Sequence, residues 1–394
     1  MVDLMRLDQA ACIDDLREIA RRRIPRFAFD LVDGGAEGER NLRRNAQAFE
    51  EIELTPRYMR DVSRIDTSVT LFGQSFDAPF GMAPIGVLNA FWPGADLMLA
   101  RLCKAKNIPY TASSAASTSL EALAEAADGN GWFQLYVSSD GDVTEGLVAR
   151  AEAAGYPVMM VTADVPAAGK RDRDIRNQLA VPFRFTPDVV LQCALNPRWS
   201  LASLRHGTPN VANYADLLKN ATSYAEVQKT LITPGFTWED LKRLRDRWKG
   251  KLLVKGILHP DDAVQCADLG CDGIVVSNHG GRQVAFGQPT IEALPPIARA
   301  LGGRIAVLLD SGIRRGSDTL RAKALGADFT LAGRALAYGI GAGGADGAER
   351  AFDLLTLELN RALGQLGLKS YSDVGPDALS KAPRQTSACR QRNP

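Results

Sequence analysis

Histidine is scarce in this chain: its 394 residues carry only His206, His259 and His279. The six cysteines, at positions 12, 103, 193, 266, 271 and 389, are scattered and form no Cys-x-x-Cys. Cys266 and Cys271 lie in a helix-like stretch with no histidine nearby to complete a metal site, so reduced thiols are expected and metal ligands or disulfides are not. No uncharged apolar run approaches the ~18 residues a transmembrane helix needs. Met1-Val2-Asp3-Leu4-Met5-Arg6 carries two charges and no apolar core, so a secretory signal is not expected. The net charge of +1 gives no bulk attraction to nucleic acid or to an anionic membrane. No Gly-x-Gly-x-x-Gly directly follows a strand candidate, which disfavours a Rossmann-bound nicotinamide. With 45% hydrophobic and 24% charged residues, what remains is the composition of a globular protein, and a cytoplasmic one is expected.

From about residue 78, short apolar runs alternate with amphipathic segments. The strand candidates are Ala78–Ala83, Pro109–Ser113, Trp132–Tyr136, Pro157–Thr162, Lys251–Lys255, Asp272–Val276, Ile305–Leu309 and Asp328–Leu331. Each is short and continuously apolar, as in strands covered on both faces. Helix starts are signalled between them, by Thr118-x-x-Glu121 before Leu120–Ala127 and by Thr237-x-x-Asp240 before Trp238–Trp248. This repeat predicts a TIM (β/α)8 barrel, with a doubly wound open sheet as the alternative. Residues 1–77 read as a helical, then irregular, cap at the bottom or side of a barrel over 78–370, and 371–394 as a C-terminal tail. Residues 178–236 interrupt the barrel between its fourth and fifth strands. With apolar clusters at Val189–Leu191 and Leu217–Leu218, they read as a surface excursion with one or two helices, or as a membrane or partner contact.

Catalytic groups of such barrels come from the C-terminal strand ends. Here those ends carry Ser113-Ser114, Gln134 and Tyr136, Thr162-Ala163-Asp164, Lys255, Ser277-Asn278-His279 and Asp310-Ser311-Gly312. Only His279 among the histidines follows a barrel strand; His259, before Pro260, suits a helix cap. His279 is thus the candidate base titrating near neutral pH. Arg282 and Arg171 can grip a carboxylate through paired charged hydrogen bonds. Ion pairing with Asp172 and Asp174 is expected for Arg173 more than for Arg171. Asp310-Ser311-Gly312-Ile313-Arg314-Arg315-Gly316 and Gly333-Arg334 fall where this barrel class binds phosphate, on glycine amides and a helix N-terminus.

The run Ser277-Asn278-His279-Gly280-Gly281-Arg282-Gln283 resembles the signature of the FMN-dependent α-hydroxy acid dehydrogenases and oxidases. The similarity extends to Asp33-Gly34-Gly35-Ala36-Glu37, Ala83-Pro84-Ile85-Gly86, Trp132-Phe133-Gln134-Leu135-Tyr136, Leu253-Val254-Lys255-Gly256 and the Asp310–Gly316 run, so it covers nearly the whole chain. The resemblance implies FMN contacts at Pro84, Ile85, Gly86, Ser113, Gln134 and Thr162, with Lys255 facing flavin N1. Asp310, Ser311, Gly312, Arg314, Gly333 and Arg334 would hold the ribityl and phosphate end. It further implies His279 as base, Asp164 as its partner, Arg171 and Arg282 on the substrate carboxylate, and Tyr136 on the reacting end. An L-2-hydroxy acid would become a 2-keto acid, with oxygen, a quinone or a protein as electron acceptor and a homotetramer as the assembly. The family's Tyr-Asp-Tyr reads Phe29-Asp30-Leu31 here, and its Leu-Asp after Arg-Gln reads Val284-Ala285. Leu31 makes that end of the pocket more apolar, which favours a bulkier, aromatic acid over glycolate or lactate. With Ala285 it also leaves open a family relative acting on a modified peptide or other unusual substrate, and a non-catalytic FMN-binding barrel is the third reading.

Overall fold

The structure is a computed structural model, and it describes residues 6–177, 186–207, 210–214 and 233–380. In chain order, the first helices are α1 (Ile13–Arg23), α2 (Arg26–Asp33) and α3 (Arg40–Glu50). A hairpin of β1 (Val69–Leu71) and β2 (Gln74–Phe76) follows. Then come β3 (Phe80–Met82), α4 (Leu88–Phe91), α5 (Ala95–Ala105), β4 (Tyr110–Ser113), α6 (Leu120–Ala127), β5 (Gly131–Leu135), α7 (Gly141–Ala153), β6 (Val158–Thr162) and the short α8 (Asp172–Arg176). The insertion carries α9 (Pro187–Leu195) and α10 (Pro197–His206). The second half comprises α11 (Trp238–Arg247), β7 (Lys251–Ile257), α12 (Pro260–Asp268), β8 (Gly273–Val276), α13 (Thr290–Leu301), β9 (Ala306–Leu309), α14 (Gly316–Ala324), β10 (Phe329–Ala332) and α15 (Arg334–Leu366), kinked at Gly343–Gly344.

Strands β3 to β10 close into a barrel in which each strand pairs in parallel with its sequence neighbour and β10 returns to β3. This is the expected (β/α)8 barrel, and the open sheet is excluded. Every expected strand is present within a residue or two of its bounds. Trp132, Val158 and Phe329, at the starts of β5, β6 and β10, pack inside the barrel with Leu71 and Phe76 of the hairpin. The hairpin therefore plugs the bottom with aromatic and aliphatic side chains, leaving the C-terminal ends as the open face.

The capping box at Thr237 and Asp240 is present, and His259 Nδ1 accepts from the Asp261 amide as expected for a cap. At α6, however, the cap is Ser119 and not Thr118: Ser119 Oγ accepts from the Ala122 amide. Within residues 1–77 the hairpin lies at the bottom and α1 packs along the side against the outer helix α15. The stretch from Val32 to Asn45 instead reaches the C-terminal mouth of the barrel, where Gly34 O accepts from Arg282 Nη1 at 2.9 Å. The expected helices of the insertion are α9 and α10, whereas Leu217–Leu218 and residues 381–394 lie outside the described residues.

Candidate active site

One cavity of about 290 Å³ opens on the C-terminal face. It is lined by Leu31, Pro84, Ile85, Gly86, Gln134, Tyr136, Thr162, Arg171, Lys255, His279, Arg282, Asp310, Ser311, Gly312, Arg314, Gly333 and Arg334. Of the residues to which the resemblance gives a role, only Ser113 and Asp164 stand behind this wall. Ser113 Oγ donates to Gln134 Oε1 at 2.8 Å, and Gln134 Nε2 donates to Thr162 Oγ1 at 2.8 Å. This chain across β4, β5 and β6 fixes the Gln134 amide without Ser113 touching the cavity.

His279 follows β8 in a left-handed conformation (φ 59°), which costs a non-glycine residue on the order of 1 kcal/mol. Its Nδ1 lies 3.1 Å from Asp164 Oδ1 and its Nε2 3.1 Å from the Tyr136 hydroxyl. An ionised carboxylate can only accept, so Nδ1 carries the proton and Nε2 presents its lone pair beside the cavity. Burial pushes the His279 pKa down; Asp164 opposes this, Lys255 reinforces it, and the net shift is below the ordinary histidine value. The ring is therefore neutral near pH 7, as a base must be. Burial alone would raise the Asp164 pKa, but His279 and Lys255 hold it below the ordinary carboxylate value. Gly256 (φ 105°) makes this approach possible, because a Cβ there would lie 2.4 Å from Asp164 Cβ.

Lys255 Nζ donates to Ser277 Oγ at 2.9 Å and sits 3.3 Å from Asp310 Oδ2. Burial works against its charge, but Asp310 and Asp164 outweigh that and raise its pKa. It is a fixed cation in the cavity wall. Arg282 is pushed down to about 9 by burial and by the neighbouring Arg171 and Arg334 cations. It still carries its proton at pH 7, in surroundings that an anion would relieve.

The two basic residues after β6 exchange their expected partners. Arg171 pairs with Asp174 at 2.7 Å, while Arg173 inserts between Asp30 (3.0 Å), Asp33 (2.8 Å) and Glu39 (2.6 Å) of the N-terminal segment. The reason is local geometry: side chains two apart in the first turn of α8 point to different sides. At the phosphate loops, the first amides of α14 are already filled. Asp318 Oδ2 accepts from Arg314 N and Arg315 N, and Glu358 from Gly316 N. The helix start left to receive an anion is that of α15, whose Gly333 and Arg334 line the cavity. The Arg334 guanidinium donates to the carbonyls of Val32, Gly280 and Gly34, so it also ties three loops together.

Sequence reasoning missed Val165, Ala168, Val211 and Gln283 in the wall. Val211 comes from the insertion, where the chain is held by Ala212 N donating to Ala116 O. Gln283 Oε1 accepts from Gly169 N at 2.7 Å and clamps the loop bearing Arg171 to the one bearing Arg282. Val211 has no local signal in the sequence; Gln283 stood inside the quoted signature but suggested no role.

A closed α/β barrel whose mouth gathers a neutral histidine on a buried aspartate, a buried lysine and a phosphate-type loop pair is the framework of a flavin-dependent oxidoreductase. The chain belongs to the FMN-dependent dehydrogenase family, whose model matches residues 20–381. It is 38% identical over 371 residues to the (S)-mandelate dehydrogenase of Pseudomonas putida, covering 93% of each chain. It is 39% identical over 375 residues to the L-lactate dehydrogenase of Caulobacter vibrioides, covering 94% of this chain and 98% of that one. Among solved structures, a monotopic membrane protein, (S)-mandelate dehydrogenase, superposes with a TM-score of 0.89 at 37% identity, covering 94% of this chain and 99% of that one. The cofactor is therefore FMN, and the cation-rich, glycine-lined wall from Gly312 to Arg314 with Gly333 and Arg334 suits its phosphate.

Proposed function

We propose that the protein oxidises an aromatic L-2-hydroxy acid of the mandelate type to the 2-keto acid, with His279 as the base. The observation that carries this is the Nε2 lone pair of a neutral, buried His279 in the same cavity as Arg171, Arg282 and Lys255. Bound FMN would accept the two electrons and the second of the two hydrogens that the substrate loses. Arg282 and Arg171 hold the substrate carboxylate, and the Tyr136 hydroxyl turns from Nε2 to the reacting end. His279 takes a proton from the substrate at Nε2, and the negative Asp164 stabilises the imidazolium that results. Lys255 keeps positive charge where electrons arrive. Gln134 and Thr162 offer polar contacts to the cofactor's edge, and Pro84, Ile85 and Gly86 a backbone wall. Leu31, with Val165, Ala168 and Val211, makes the remaining wall apolar, which suits an aromatic ring better than a methyl group.

The acceptor is a quinone reached at a membrane surface, and oxygen is the alternative. Among the described residues no helix is long and apolar enough to cross a membrane. Yet Val190, Leu191, Leu195, Leu201 and Leu204 of α9 and α10 are all exposed, with Arg198 and Arg205 among them. This face supports peripheral attachment to the inner side of a membrane by insertion of leucines beneath basic residues. Replacing Leu191, Leu195 and Leu204 together by serine should release the enzyme from anionic vesicles without altering flavin reduction; retained binding would exclude this face. A homotetramer, implied by the resemblance, is checked by light scattering in detergent.

The test of the reaction is anaerobic mixing of the yellow protein with L- and D-hydroxy acids. Rapid bleaching by L-mandelate, and slow bleaching by glycolate, is expected; bleaching by D-acids alone, or faster bleaching by glycolate, would overturn it. Readmitting oxygen then separates oxidase from dehydrogenase.

A further inference from the structure

The N-terminal helix α3, outside the barrel, lies directly on the catalytic turn. A Cβ on Gly281 would meet Leu42 N at 2.5 Å, and one on Gly312 would meet Asn45 O at 2.6 Å. One helix thus seats both the histidine turn and the phosphate loop, with no room for a side chain at either glycine.

From that helix, the buried Asn45 reaches the turn through a reciprocal amide pair. Asn45 Nδ2 donates to Asn278 Oδ1 at 2.8 Å, and Asn278 Nδ2 donates to Asn45 Oδ1 at 2.7 Å. The same Asn278 Oδ1 accepts from Gly281 N at 3.1 Å. It is one of three side-chain oxygens that hold three successive amides of the turn. Ser277 Oγ accepts from His279 N at 3.1 Å, and Ser311 Oγ from Gly280 N at 2.8 Å. Three consecutive residues, His279, Gly280 and Gly281, have positive φ (59°, 67° and 72°), a strained run that its two backbone bonds, Gly281 N to Asn278 O and Arg282 N to His279 O, share with the side-chain oxygens. All three oxygens stand on barrel strand ends, but Asn278 alone is paired with a residue outside the barrel. Its amide is oriented by the reciprocal pair with Asn45, alongside one bond from Asn278 Nδ2 to Gln288 O at 3.2 Å.

We propose that Asn45 is a positioning residue for catalysis, fixing the Asn278 amide and through it the left-handed turn that aims His279. This rests on the reading of His279 as the base. Without Asn45 the Asn278 amide keeps only Gly281 N on Oδ1 and Gln288 O on Nδ2, and loses the two shortest bonds that fix its orientation. A shift of about an ångström in a reacting group can cost up to about a hundredfold in rate. Asn45 touches neither the cavity nor the phosphate loop with its side chain, so substrate and cofactor affinity are not its business.

The experiment uses the FMN-loaded enzyme with Asn45→Leu, Asn45→Asp and, as a control that loosens α3 elsewhere, Ala48→Gly. Asn45→Asp keeps the acceptor for Asn278 Nδ2 and deletes the donor to Oδ1, with no change of size. The limiting rate of anaerobic bleaching by L-mandelate should fall roughly ten- to a hundredfold in both Asn45 variants, while affinity for the 2-keto acid product stays within about twofold. Hydrogen exchange should quicken in the peptide spanning 277–283 and stay unchanged in 310–316. Ala48→Gly should lower the melting temperature and leave the rate alone. Unchanged exchange at 277–283 in Asn45→Leu overturns the proposal whatever the rate does, and so does an equal loss of rate in Ala48→Gly. If no hydroxy acid bleaches the wild-type flavin, the proposed reaction falls, and the exchange result still decides whether Asn45 holds the turn.

Discussion

Replacing Asp164 by Asn tests the charge of the His279 pair while keeping its shape. Asn can still accept from His279 Nδ1 at the 3.1 Å separation seen for Asp164 Oδ1, so the ring stays oriented. What is lost is the attraction between the carboxylate and the imidazolium formed when the substrate proton arrives. At that distance and an effective dielectric constant of about 20, the attraction is about 5 kcal/mol. Lys255 and Arg282 oppose the imidazolium throughout, and the retained hydrogen bond recovers a part. A net loss of about 3 kcal/mol, or roughly a hundredfold in the rate of flavin reduction, is the expected result. The pH profile supplies the sign. Asp164 raises the His279 pKa, so removing its charge lowers that pKa further, and the neutral, active ring persists to lower pH. The ascending limb of kcat/KM should thus move to lower pH as the plateau drops. Stopped-flow bleaching across pH 4 to 8, a window of about that span around the ordinary histidine pKa, reads both. A plateau within about threefold of wild type, or a limb that moves to higher pH, would refute the reasoning.

Leu31→Tyr should add a hydrogen bond to a substrate carboxylate worth ~1.5–3 kcal/mol, shifting relative kcat/KM from L-mandelate toward L-lactate by roughly ten- to a hundredfold; steady-state kinetics with both acids check it. Burial disfavours the Asp33 charge, but hydrogen bonds from Arg17, Tyr338 and Arg173 outweigh it and hold the folded pKa below the ordinary value. That stabilisation is present above the unfolded Asp pKa and is lost as pH falls through the folded one. Arg17→Met should accordingly lower the melting temperature at neutral pH, by a margin that narrows in acid; a margin constant with pH would contradict the linkage.

The barrel was legible because each strand is a short, wholly apolar run, and β4 to β6 are buried at every position. The hairpin was not, because its three-residue strands bury only Leu71 and Phe76 and carry no sustained alternation. The site was legible where a residue follows a strand in the same unit, as His279 follows β8 and Asp164 follows β6. It was not legible where distant segments meet. Asn45 lies 233 residues from Asn278, and no local pattern marks either as half of a pair. Arg171 and Arg173 were misassigned for a related reason: the carboxylates that claim Arg173 sit about 140 residues earlier, on α2 and the loop after it.

The proposed transfer of the substrate proton to His279 Nε2 is tested most directly by His279→Gln. The variant should bind FMN and remain yellow for minutes after anaerobic mixing with L-mandelate, while the 2-keto acid product still perturbs its flavin spectrum at wild-type concentrations. Bleaching of that variant at a rate near wild type would contradict the account.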